Sequence, residues 1–96
     1  MATKAGMKDE KLKAALEEVA GLLSVKVSYE KIKIASGRQP KGGLCWVHGE
    51  PRIIVHKLLP ESEKVQVLIE ALRGFDLENV YISPEIRRTI EGVSLL

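Results

Sequence analysis

Residues 42–56 read GGLCWVHGEPRIIVH, and the fold turns on how they are divided. Two β-type runs, GLCWVH and PRIIVHK, flank the pair Gly49–Glu50. Apolar, β-branched and aromatic runs around a short glycine-containing break mark a hairpin. Pro51 has no N–H for a ladder, so it belongs at the first position of the returning strand. A two-residue turn at Gly49–Glu50 pairs Trp46 with Ile53, Cys45 with Ile54 and Leu44 with Val55. Side chains alternate along a strand. One face then carries Leu44, Trp46, His48, Ile53 and Val55, and the other Cys45, Val47, Arg52, Ile54 and His56. The first set is the natural partner for helices, with Trp46 expected in the core.

The segments around the hairpin supply those helices. From Met7 to Ser24, Leu12, Ala15, Leu16, Val19, Leu22 and Leu23 recur at spacings of three and four, the stripe of an amphipathic helix. After the hairpin, LPESEKVQVLIEALRGF reads as a second helix. Pro60 suits its first position, Glu61 and Glu63 its first turn, and Val65, Leu68, Ile69, Leu72 and Phe75 its buried stripe. Gly74 is a fitting stop. A last short helix is expected in SPEIRRTIE, with Ser83 as N-cap, Pro84 behind it and the arginine pair 87–88 on the surface. The acids Glu61, Glu63, Glu70, Asp76 and Glu78 along the second helix and its exit read as solvated.

VKVSYE, residues 25–30, alternates strictly and reads as a half-buried strand, with Lys26, Ser28 and Glu30 opposite Val25, Val27 and Tyr29. Ile32 and Ile34 have the other parity, which a bulge near Glu30–Lys31 would reconcile. SGRQPKGG, residues 36–43, is a loop. The sequence therefore predicts one α+β domain over residues 1–96, in the order α-β-β-β-α-α, with residues 1–6 as a frayed tail. A three-stranded antiparallel sheet packed by two helices makes a small two-layer domain.

Composition limits function. The 96 residues are 45% hydrophobic and 29% charged, as in ordinary globular domains, and carry a net charge of +2. The pI of about 8.8 and the interleaved acids make nucleic-acid binding an unfavoured reading. One cysteine rules out an internal disulfide framework and suits a reducing cytosol. No apolar run has membrane-span length, and the N-terminal residues lack a signal-peptide core, so a cytoplasmic location is expected.

Cys45, His48 and His56 raise the question of a site. Residues three apart on a strand point opposite ways, so Cys45 and His48 cannot share a metal. No third or fourth ligand is evident beyond Glu50, and neither a metal nor a cofactor is expected. Cys45 and His56 share a face as diagonal neighbours, which makes them the candidate pair for a thiol-dependent enzyme or metal-binding domain. No Asn or Asp is placed to orient His56. A small apolar cysteine in a sheet is the commoner use. Lys31, Lys33, Arg38 and Lys41 form the one locally basic stretch and are the candidate anion-binding residues, without a Walker or dinucleotide glycine pattern. If helices cover one side only, Cys45, Val47 and Ile54 form an apolar face that a second copy or the 31–43 loop would cover.

The stretch from GGLC through LPESEK to FDLENVYISPEIR resembles a family of small uncharacterised bacterial proteins with no agreed activity. The likeness spans residues 25–91 and implies no catalytic residue. The layout is also similar to zincin-like metalloprotease domains, in which a strand pair precedes a helix bearing H-E-x-x-H. Here that helix reads EKVQVLIEALRGF and has no histidine, so protease activity does not carry over. The leading expectation is a non-catalytic, homodimeric interaction module. It would bind a protein or an anionic ligand through the open sheet face and the basic loop.

Overall fold

The computed structural model describes residues 8–32 and 41–92. The expected N-terminal tail and the centre of the basic loop, with Lys33, Ile34 and Arg38, lie outside the described residues. The elements are α1 (Asp9–Leu22), β1 (Lys26–Glu30), β2 (Gly42–Val47), β3 (Glu50–His56), α2 (Glu61–Leu72) and α3 (Pro84–Glu91), in the expected order.

The helices follow from their stripes and caps. Leu16, Val19 and Ala20 of α1 are buried, while Leu22, expected on the same stripe, is exposed. Pro60 stands one residue before α2 rather than inside it. α2 buries Val65, Val67, Leu68, Ile69, Ala71 and Leu72, a wider face than its stripe alone, because it packs on α1, α3 and the sheet together. Ser83 caps α3, its hydroxyl accepting from the Ile86 N–H at 3.4 Å, and Gly92 closes the helix at φ 71°. The arginine pair divides. Arg88 is exposed, but Arg87 is half-buried and donates to the Leu77 carbonyl at 3.1 Å, tying the 76–82 connector to α3.

The sheet corrects the antiparallel expectation. Its order is β1-β3-β2, with β2 antiparallel and β1 parallel to β3. β3 takes the centre of the sheet with a continuous apolar run, Ile53 and Val55 buried on the helix side and Ile54 half-buried on the other. A strand in the middle of the sheet must also tolerate Pro51. β1 pairing begins only at Arg52, so the missing N–H of Pro51 faces no strand. On the other side the His56 N–H bonds the Lys41 carbonyl at 2.9 Å. Alternation then makes Trp46–Pro51 a non-hydrogen-bonded pair, where β2 asks nothing of that nitrogen.

The hairpin turn is His48–Gly49, one residue earlier than expected. Both have positive φ, 52° and 80°, as a type I′ turn requires. Glycine takes the second of these positions and histidine, tolerant of the left-handed region, the first, so Glu50 remains extended. The pairing consequently slides by two residues: Leu44 faces Ile53, Cys45 faces Arg52 and Trp46 faces Pro51. A slide of two preserves the faces, so Leu44 and Trp46 still share a side with Ile53 and Val55. That side is the helix side, where Ile53 and Val55 are fully buried. Trp46, however, is 64% exposed and Leu44 38%, which overturns the expected core tryptophan. β2 is an edge strand; α2 packs against it, Val67 and Ala71 of α2 and Gly74 beyond it sharing a hollow with Gly43 and Leu44 that Trp46 does not line.

Candidate functional site

α1 and α2 pack against the sheet from the side of Ile53 and Val55. Among the described residues no helix or strand packs on the other side. The register across β1, β3 and β2 arranges that open face in rows. Lys26, Arg52 and Cys45 lie side by side; next come Ser28, Ile54 and Gly43; then Glu30 and His56, with Lys41 beyond the end of β2. Adjacent positions in a row are about 5 Å apart.

Two features of these rows carry chemistry. Lys26 and Arg52 are directly opposed like charges, an arrangement that destabilises a sheet. Among the described residues neither lies within ion-pair distance of an acid; the pairs formed there are Lys13–Glu61, Lys64–Glu61, Lys41–Glu63 and Arg87–Glu91. Beside this cationic pair, Gly43 leaves a gap in the side-chain surface. Glu30, Lys31, Ile32, Gly43, Cys45 and Ile54 line an open concavity of about 430 Å³. Cys45, Val47 and Ile54 are all half-buried. Gly42 is required at the strand's start: at φ 118°, a Cβ there would stand 2.0 Å from the Ile54 carbonyl oxygen.

The sequence candidates distribute unevenly over this face. Cys45 and His56 are on it, but they are not diagonal neighbours. Cys45 faces Arg52, so His56 is four residues further along β3, about 13 Å away. A thiol–imidazole hydrogen bond cannot span that distance. His56 is buried and already engaged: its Nδ1 lies 3.2 Å from the Ile32 amide nitrogen and 3.4 Å from the Glu30 carbonyl oxygen. It holds the chain leaving β1 against the end of β3. His48 is in the turn. Among the described residues no three His, Cys, Asp or Glu side chains are grouped to hold a metal ion. Of the basic stretch, Lys31 borders the concavity and Lys41 lies 3.5 Å from Glu63. Lys33 and Arg38 lie outside the described residues.

Sequence reasoning placed Lys26 opposite the apolar side of its strand and Arg52 on the hairpin face away from the helices, but did not pair them, because the pairing depends on β1 lying parallel beside β3. It also missed a polar cluster on the helix side. There the Tyr29 hydroxyl donates to Glu17, Lys13 lies 2.8 Å from Glu61, and the Lys13 and Lys64 ammonium groups stand 5.3 and 5.7 Å from the Tyr29 ring centre. Burial, then the Glu17 carboxylate, pushes the Tyr29 hydroxyl well above the ordinary phenol range. The Lys13 ammonium, 2.8 Å away, holds the Glu61 carboxyl below its usual range, against an opposing desolvation effect. A phenol made harder to ionise and an acid made easier to ionise suit a structural tie between α1, β1 and α2 rather than proton transfer at neutral pH.

No family model, curated protein or solved structure matches the chain. Among the described residues no helix is long and apolar enough to cross a membrane.

Proposed function

We propose that this chain is a small, non-catalytic cytoplasmic interaction module, working as a homodimer. Its open sheet face binds an acidic segment of a partner protein. The observation that carries the reading is the Lys26–Arg52 pair beside the apolar concavity at Gly43, Cys45 and Ile54. Directly opposed cations with no acid within ion-pair distance among the described residues cost the fold stability, and an anionic group bound between them removes the cost. An apolar side chain next to that anion would fill the concavity. Lys31 and Lys41, with Lys33 and Arg38 of the same basic stretch, would add long-range attraction.

Anilinonaphthalene sulfonate joins an anion to an apolar ring system and serves as the probe. In a backbone-amide NMR titration its shifts are expected at Gly43, Cys45, Arg52 and Ile54. Lys26→Glu should weaken its binding by about tenfold, or about 1.4 kcal/mol, and added salt should weaken it further. Shifts confined to the helices, or an affinity indifferent to Lys26→Glu, would overturn the proposal.

A further inference from the structure

The two edges of the sheet are protected to different degrees. β1 carries Lys26 and Glu30 on its open face and is crossed on its helix side by α1. β2, GGLCWV, carries no charge and no proline along its six residues. Protein sheets keep exposed edges from pairing with charges, prolines or bulges. β2 shows none of these, and it presents exposed Leu44 and Trp46 on one side and half-buried Cys45 and Val47 on the other. We infer that the β2 edge is the homodimer interface, pairing antiparallel with β2 of a second copy to form one six-stranded sheet. The inference rests on the homodimeric reading above and names its surface.

The register follows from which backbone groups of β2 have no partner among the described residues. Cys45 and Val47 turn their N–H and C=O toward β3, so Gly42, Leu44 and Trp46 turn theirs outward. A two-fold axis perpendicular to the sheet keeps both sets of helices on one side and pairs residues of like parity. Setting the axis at Cys45 makes Leu44 and Trp46 of the second copy a hydrogen-bonded pair, and does so twice. It thereby covers the two exposed apolar side chains of the edge against each other. Moving the axis to Leu44 would place Trp46 against Gly42 and leave its ring with nothing to pack on. The open faces of both copies would then form a continuous surface, with two Lys26–Arg52 pairs in one sheet.

This register puts Cys45 opposite Cys45 of the second copy, as a non-hydrogen-bonded pair with Cα atoms about 4.5 Å apart, within disulfide range. The full chain treated with diamide should give a disulfide-linked dimer, the two thiols losing two electrons and two protons to the oxidant. In a Cys45→Ser background, Leu44→Cys should not cross-link, since its copies would lie about 8 Å apart. Sedimentation should show a dimer for the untreated chain and a monomer for Trp46→Lys, whose site is exposed enough to keep the fold. Should Trp46→Lys not fold, Leu44→Lys tests the same edge. A monomeric untreated chain, a dimer unaffected by both lysine variants, or cross-linking at residue 44 instead of 45 would overturn the inference. The Trp46→Lys monomer should still bind the sulfonate probe at Gly43 and Ile54. Loss of the edge is thus distinguishable from failure of the open-face reading.

Discussion

The two faces of this sheet differ in what they have been shaped to do. On the helix side, Val27, Ile53 and Leu44 form one row and Tyr29 and Val55 another, packed by α1 and α2, with Ile53 and Val55 fully buried. On the open side the rows are mixed: two cations beside a thiol, then a serine, an isoleucine and a glycine. The helix face maximises burial and satisfies its one polar residue, Tyr29, through Glu17. The open face keeps apolar side chains half-exposed and sets like charges side by side. A face optimised only for stability would do neither, and this contrast is the basis of the functional reading.

Adjacent isoleucines on β3 make the sharpest comparison. Ile53→Ala removes a fully buried side chain and should cost about 2–4 kcal/mol. Ile54→Ala, on the open face, should cost about 1 kcal/mol or less, yet reduce probe binding. Urea unfolding of the two variants checks the difference, and equal losses would mean that both faces are core.

Tyr29→Phe probes a polar tie on the helix face. Losing the hydrogen bond to Glu17 should cost about 1 kcal/mol at neutral pH. Because the folded chain holds the tyrosine proton more tightly than the unfolded chain, this stabilisation is complete below pH ~10 and is lost as pH rises above it. The gap between the native chain and Tyr29→Phe should therefore narrow from pH 9 to pH 11. A gap that widens in alkali would reverse the assignment.

Much of this architecture was legible because it rests on local signals. The element order, the Ser83 cap and the faces of the hairpin follow from periodicity and turn chemistry. The turn itself was displaced by one residue because histidine, like asparagine, accepts the left-handed region ahead of glycine. The faces survived since the resulting slip was an even number of residues. The mixed sheet could not be read locally: a hairpin fixes only β2 against β3, and β1 could have joined either. Ile53-Ile54-Val55 was the available sign that β3 is central. Trp46 misled because facing the helices is not the same as being reached by them, and α2 does not extend over that end of an edge strand. The Lys26–Arg52 row was hidden for the same reason as the sheet order. Each residue was placed on the side away from the helices, but only parallel pairing sets them side by side.

Lys26→Glu gives the smallest change in stability and the most direct test. If the open face keeps opposed cations in order to bind an anion, replacing one by an acid should do two things at once. It should stabilise the fold by about 0.2–1 kcal/mol, by turning a like-charge pair into an opposite-charge pair. It should also weaken sulfonate binding by the tenfold stated above. Stability and affinity measured on the same variant should move in opposite directions. A variant that loses stability while binding the probe unchanged would contradict the account.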